Sequence, residues 1–537
     1  MPNINITEVR LLAVPLENDY KHTLYFSSKQ EQINFFKSKT IRVFSNFSYQ
    51  RKDNIIRVPD LDDNGNITTY DGLVLSGVNY VMYKNSHYSN KWYFAFINEL
   101  KYVDDGRTDI VIETDCIQTW LFDYTVKKSF VEREHVKNDT VGLHTVPETL
   151  ETGEYICSDY SKDDYLNSLY VVVATSEKVS GWQGVGGTEE FEQSAGNLYN
   201  GIFAGMTYYT FQIPTDLVSL INFIKLFDNA GKGDGIQCIF IAPAFLIETE
   251  NTIEIVGTKK PCKYDYAFSK PTKIDGYTPR NNKLLCYPYN YLLVSNMNGG
   301  EAVYHYEYFD NNNNQADFQI MGALTPGCLI RLAPKNYKGC AVNEIEGLNL
   351  GKFPICNWTS DVYTNWLTQQ SVNIGVSTAT GVAQVIFGTA GMMSGGGALA
   401  GAQMISNGAL QIASVMGEKY AHAVMPAQSK GNLNCGDVIT ANSSNTFHFF
   451  RMSIKREFAK IIDGFFDMFG YKVNSLKVPN KNHRANYWYT KTIDVNIDGN
   501  IPNKDLQIIK NCYDNGITFW KSADNIQNYS VDNDIIT

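Results

Sequence analysis

The sequence predicts a mainly β fold with some helix, an α+β chain divided into several domains. Three observations lead there. Aromatic residues make up 13 % of the chain, with 34 Tyr and 29 Phe, and such side chains suit pleated, half-buried surfaces. Runs of β-branched and aromatic residues recur between turn signals. The length of 537 residues exceeds one core; at about 150 residues per domain, three or four domains are expected.

Residues 1–160 read as a β domain. "KTIRVFSNFSY", "NYVMYKN", "KWYFAFINELKYV" and "RTDIVIETDCIQTWLFDY" are strand-like, with turns at "DDNGN" and "DDG". One short helix interrupts them: Ser28 and Glu31 have capping-box spacing, and Ile33 and Phe36 share a face. Residues 161–260 form an inserted α/β domain. It opens on the Gly-rich "GWQGVGGTEEFEQSAGN". A helix follows in "PTDLVSLINFIKLFDNAGKGDG", with Leu217, Leu220, Ile221, Ile224 and Phe227 as its stripe and Gly231 as its stop. "IQCIFIAPAFLI" is a buried strand. Residues 261–360 return to strand and turn, with a polar tip at "DNNNNQ". Residues 361–430 are apolar and uncharged over most of their length. Residues 431–537 complete the chain with two helices. Phe458, Ile461, Ile462, Phe465 and Phe469 mark the first, which ends before Gly470. The second has Asn503 as its cap and Gly516 near its end. No repeat of 20 to 50 residues points to a solenoid.

A net charge of −10 argues against tight nucleic-acid binding. The 10 cysteines include no C-x-x-C pair, and Cys328, Cys340 and Cys356 are too far apart for a metal knuckle. Buried free thiols in a chain made in a reducing cytosol are expected. "MPNINITEVRLLAVPLENDY" has no basic region followed by a long apolar core, so no secretory signal is expected.

Several motifs carry weak chemical signals. Asp60, Asp62, Asn64, Gly65 and Asp71 match much of a calcium loop. Pro59 precedes it, both flanks read as strands, and the closing acid is Asp where a bidentate Glu is usual; a hairpin tip on Asn64-Gly65 fits better. "GVGGT" and "AGKGDG" do not complete a phosphate loop. "EREH" at Glu132–His135 gathers acids and a histidine without zinc-protease spacing, and reads as a salt-bridged edge strand with Glu132 and Glu134 on one face. Nothing points to a nucleophile motif or a cofactor, and no enzymatic activity is expected.

The most informative feature is an absence. No Asp, Glu, Lys, Arg or His occurs from Val362 to Gly417. At the chain's mean charge density such a gap has chance odds of roughly a few in a thousand. A core helical hairpin suits the apolar character, but each interior Gly costs about 1 kcal/mol relative to Ala. A linker suits Gly and Ser, but not Ile386, Phe387, Met392, Met393, Leu399, Met404 and Ile405. A membrane-entering hairpin tolerates the glycines, and "GMMSG" and "GALAG" have small-xxx-small spacing. "SGGG" would turn it, leaving arms of about 20 residues, enough to cross about 30 Å of hydrocarbon. Asn373, Gln384, Gln403, Asn407 and Gln411 make the arms too polar for a resident anchor. The residues alone leave the buried hairpin and a conditional inserter level, ahead of the linker. In the inserter reading the membrane-active side chains are Val372, Ile374, Val376, Val382, Val385, Ile386, Phe387, Met392, Met393, Leu399, Met404, Ile405, Leu410, Ile412, Val415 and Met416.

In pieces along most of its length the chain resembles the tail-knob, or distal tail-tube, proteins of phi29-like short-tailed phages. The pieces include "VPLENDYKHTLYFSSKQEQINFF", "TDCIQTWLFDYTVKKSFVEREHV", "AGKGDGIQCIFIAP", "TKIDGYTPRNNKLLCYPYNYLLVSN" and "GNIPNKDLQIIKNCYDNGITFW", in shared order. The resemblance implies tube-forming β-barrel domains, a hexamer, and contact with other tail proteins of the upper tube or collar. It implies a virion protein at the tail tip through which DNA passes without specific binding. It further implies that the apolar loop plugs the lumen and, at ejection, enters the host cytoplasmic membrane lipids as a pore. No catalytic residue, metal or cofactor comes with it. "PDLDDNGNITTYDG" departs from the family pattern, which lends the calcium spacing no support. Two other readings stay open: a cell-wall-degrading enzyme of the tail tip, and a receptor-binding module using Tyr88 or Trp182 against a wall polymer.

Overall fold

The computed structural model describes residues 7–45, 51–52, 54–59, 77–85, 91–104, 107–163, 169–180, 182, 190–193, 197–199, 202–204, 206–212, 215–247, 254–255, 263–297, 299–310, 314–324, 328–350, 355–357, 432–434 and 446–536. Among them the chain is mainly β with a few helices. It divides into two compact units, each assembled from separated stretches. One comprises Met1–Glu151, Pro279–Leu284 and Arg456–Thr537; the other comprises Thr152–Thr278 and Leu285–Lys455.

The first unit contains a seven-stranded antiparallel sheet, ordered Thr40–Ser45, Thr7–Leu12, Tyr80–Asn85, Trp92–Asp104, Arg107–Thr114, Ile55–Pro59 and Arg51–Lys52. Alternation sets its inner face: Thr108, Ile110 and Ile112 point inward along one strand. The helix Lys29–Ser38 starts where expected. Ser28 accepts from the Glu31 amide, while the Glu31 carboxylate accepts from the Ser27 amide, one residue before the usual box partner. This start seats Phe36 in the core, stacked on Tyr80 at 5.4 Å and tilted on Phe94 at 4.6 Å. A second sheet is ordered His22–Leu24, Ile517–Trp520, Tyr487–Ile493, Ser129–Glu134 and Tyr471–Lys477. Its Trp520, fully buried, packs on Tyr487 at 4.5 Å.

The second unit holds a six-stranded sheet ordered Glu254–Ile255, Thr207–Gln212, Leu169–Thr175, Ile236–Pro243, Ile355–Asn357 and Asn432–Asn434. The helix Leu217–Asn229 packs Leu220, Phe223, Ile224 and Phe227 into the same core. Phe223 lies 4.5 Å from Tyr209, and Gly231 ends the helix at a φ of 68°. A four-stranded sheet and a sheet built on Lys263–Ser269, Gln315–Ala323 and Leu329–Tyr337 share this unit. The expected barrels are not closed among the described residues: in no sheet do the two outermost strands pair with each other, those of the seven-stranded one being Thr40–Ser45 and Arg51–Lys52.

Three expectations change. The helix Arg456–Phe469 buries Ala459, Ile462, Asp463 and Phe466, whereas Ile461 is 69 % exposed. The cause is Asp463. Its carboxylate accepts from the Arg280 and Asn281 amides at 2.9 and 3.1 Å, which draws that face inward and leaves the aromatic stripe half-buried. The last helix spans Asn503–Asn515 with Pro502 as its cap, since Asn503 already has helical geometry; Gly516 ends it at a φ of 95°, where a Cβ would collide with the Tyr489 hydroxyl. Of the described cysteines, all free, Cys157 and Cys340 are exposed and the others buried.

The returning stretch Pro279–Leu284 is fastened by buried charge. Glu148 is 1 % exposed and accepts from Arg133, from Lys283 at 2.5 Å and from the Lys472 amide at 2.9 Å. Burial alone would raise its pKa; Lys283, the Lys472 amide and Arg133 outweigh that and hold it below the usual carboxylate range. Asp139 accepts from the Asn282 amide and the Tyr471 hydroxyl at 2.9 and 2.7 Å. Glu148→Ala leaves the buried Lys283 and the partly buried Arg133 without their shared carboxylate and is expected to cost about 3–5 kcal/mol, read as a lowered urea midpoint for the first unit; a loss under about 1 kcal/mol would show that the carboxylate fastens nothing.

Candidate functional site

The uncharged segment is reached through a stem. The strand Ile236–Pro243 is β-branched and apolar and lies inside the six-stranded sheet, buried along nearly its whole length. Ile355–Asn357 pairs antiparallel with it, Cys238 opposite Asn357 and Phe240 opposite Ile355. Asn432–Asn434 then pairs antiparallel with Ile355–Asn357, Ile355 opposite Asn434 and Asn357 opposite Asn432. Residues 358–431 therefore leave and rejoin the sheet at adjacent backbone positions. The apolar side chains from Val372 to Met416 lie outside the described residues, as do Asp60, Asp62, Asn64, Gly65 and Asp71. The stem itself escaped sequence reasoning, because "NLN" is too short to show a period.

Among the described residues no helix is long and apolar enough to cross a membrane, and no cluster of His, Cys, Asp and Glu could hold a metal ion. Tyr88 lies outside the described residues. Trp182 is half-buried and packs edge-on to Phe223 at 5.3 Å, so it is not displayed at a tip.

Glu132–His135 forms an ion-paired interior strand and not an edge. Ser129–Glu134 has Tyr487–Ile493 on one side and Tyr471–Lys477 on the other, with a bulge between Val131 and Arg133 that breaks simple alternation. Glu132 pairs with Lys491 at 2.9 Å. Glu134, fully buried, accepts from Lys477 at 2.5 Å and from the Asn480 amide at 2.8 Å. His135 Nδ1 accepts from the Tyr489 amide at 2.7 Å, and its Nε2 bonds the Asp467 carbonyl at 3.0 Å, a pattern that fits the neutral ring with Nε2 donating. The segment thus ties neighbouring strands and turns together. Gly470 fits beside it because a Cβ would strike the Glu134 carbonyl.

Comparison with known proteins places the whole chain. The family model of the C-terminal domain of the tail knob protein gp9 of Bacillus phage phi29 matches residues 256–534, and that of the caudoviral major tail protein N-terminus matches residues 5–126. The chain is 28 % identical to the tail knob protein gp9 of Bacillus phage PZA, over 98 % of either chain. It is 27 % identical to the tail knob protein gp9 of Bacillus phage phi29, again over 98 % of either chain. The solved structure of the bacteriophage C1 tail knob protein gp12 matches with a TM-score of 0.66 at 15 % identity, covering 99 % of this chain and 100 % of that one. That likeness shows a shared fold.

Burial, helped by Arg484, pushes the His135 pKa down to about 3. In the unfolded chain a histidine titrates near ~6.5. Between these values the unfolded state binds a proton that the folded state does not. Stability is therefore lost as pH falls from ~6.5 towards 3, by up to about 1.4 kcal/mol per pH unit. His135→Asn keeps an acceptor for the Tyr489 amide and removes the titration. Denaturant midpoints measured between pH 4 and 7 are expected to fall less steeply for the variant than for the parent; parallel curves would contradict the assignment.

Proposed function

Since the chain belongs to the family of tail knob proteins of phi29-like phages, we propose that it forms a hexameric conduit at the tail tip whose uncharged segment plugs the lumen and then enters the host membrane. It is a structural virion component of the tail and not an enzyme. The finer steps are our reading, and the stem is the observation that carries it.

A segment that leaves and rejoins a sheet at neighbouring positions can change its surroundings without unpairing the sheet behind it. The composition supplies the driving force. No charge opposes transfer between Val362 and Gly417, and each Å² of apolar surface kept from water contributes about 25 cal/mol. The polar side chains inside the arms favour shelter over permanent residence in lipid. Self-association draws support from the five-stranded sheet. Leu476, Phe130 and Ile493 stand directly opposite one another on three neighbouring strands, and all three are exposed. A row of large apolar side chains facing water is the kind of surface that neighbouring subunits cover. A net charge of −10 per chain suits a wall past which DNA slides without being gripped.

Deleting Val372 to Gly417 is expected to leave the mass of the purified assembly at the same number of subunits, while dye leakage from liposomes is lost. Undiminished leakage by the deleted protein would refute the plug.

A further inference from the structure

The second unit turns one apolar sheet face outward. Its four-stranded sheet is ordered Tyr155–Lys162, His448–Ile454, Asn290–Ser295 and Glu301–Tyr304. Alternation divides the side chains between two faces. Leu292, Val294, Phe449 and Tyr304 point into the core, each at most 1 % exposed. The opposite face carries two rows. Tyr160, Phe450, Leu293 and Val303 stand side by side across all four strands. Cys157, Met452 and Tyr291 stand side by side in the next row. Tyr160 and Val303, on the outermost strands, are 49 % and 42 % exposed, and Cys157 is exposed. Between them Phe450, Leu293, Met452 and Tyr291 are only half-buried, although they sit on the inner strands. Neither row contains a charge. Two adjoining rows of this kind exceed the scattered apolar residues of an ordinary surface and mark a place of contact.

Connectivity identifies the cover. The uncharged segment belongs to the same unit. The chain that returns from it through Asn432–Asn434 runs on into His448–Ile454, the inner strand that carries Phe450 and Met452. His448 lies 14 residues beyond Asn434, and Gly417 lies 15 residues before Asn432. An extended chain advances about 3.3–3.6 Å per residue, so that tether is at least as long as any path from the stem to this face.

Chemistry agrees with reach. Val362 to Gly417 bears no charge, so laying it on uncharged rows strands none, whereas a charged partner would lose its hydration against these side chains. Met392, Met393 and Met404 suit an uneven aromatic surface, because a flexible thioether packs well against ring edges. We propose that this outward face is the shelter of the uncharged segment: residues between Val362 and Gly417 of the same chain lie across the two rows until a membrane becomes available. The shelter presupposes the plug proposed above and is the surface from which it departs.

Cys157 reports on the face, and the exposed Cys340, in the same unit but on another sheet, is its control. The assembled full-length protein is pulsed with a maleimide, with and without liposomes, beside the protein lacking Val372 to Gly417. Labelling of each thiol is read by peptide mass spectrometry. The Cys157 rate is expected to rise about tenfold on deletion, and again in the intact protein as liposomes leak, while Cys340 changes less than about twofold. Val303→Glu, at an exposed position, sets a charge beneath the segment and should speed leakage about fivefold. Equal Cys157 rates in the intact and deleted proteins would overturn the shelter; if deletion still abolishes leakage, the plug stands without it. Protection of Cys157 that survives deletion would assign the face to a neighbouring copy and overturn the shelter too, as would leakage unchanged by Val303→Glu.

Discussion

One buried carboxylate fastens the first unit. Glu148 lies out of water between Arg133 and Lys283, and Lys283 belongs to a stretch of six residues that returns from a distant part of the sequence. Such a return is entropically costly and needs strong local fastening. Asp463 and Asp139 supply the rest by accepting the backbone amides of Arg280, Asn281 and Asn282. Charges buried this deeply stabilise only when complete, so the network fixes which strand meets which helix more than it adds to net stability. The inward face of Arg456–Phe469 carries the Asp463 carboxylate, and the Tyr471 hydroxyl donates to Asp139, so both belong to the same network.

The second unit solves a different problem. An uncharged stretch that neither water nor lipid fully suits must be carried without endangering the core. The solution is an edge. Ile236–Pro243 is secured by Leu169–Thr175 on one side, and the two short stem strands add outward from the other. The backbone pairing that holds the stem is separate from the aromatic packing around Phe223 that holds the unit. In this account the fold provides a fixed mount, and the composition provides the direction of travel.

Local signals in the sequence were readable where local physics decides. The Ser28 cap, the stripe residues Leu220, Ile224 and Phe227 and the Gly231 stop lie where helix chemistry alone puts them, while Phe223, outside the expected stripe, is fully buried and Ile221 only half-buried. The apolar face of Arg456–Phe469 was misread, because its buried face centres on Asp463, whose partners are some 180 residues away. Glu132–His135 reads from the sequence as a salt-bridged edge, since the strands on both sides of it come from beyond residue 470. The outward face of the four-stranded sheet was invisible for the same reason: Tyr160, Leu293 and Phe450 come from separate stretches and form no motif in line. The uncharged segment was legible as composition, and composition gave its character without giving its mount.

The central claim is that residues between Val362 and Gly417 exchange a protein-lined shelter for hydrocarbon. An environment-sensitive fluorescent amino acid placed at Met393, with a matched probe at the exposed Ile345, tests it directly in the assembled protein. Vesicles carrying a quencher on the lipid acyl chains are added and leakage is followed together with fluorescence. The account predicts that the Met393 probe is quenched as the vesicles leak while the Ile345 probe is not. Leakage with an unquenched Met393 probe would contradict it.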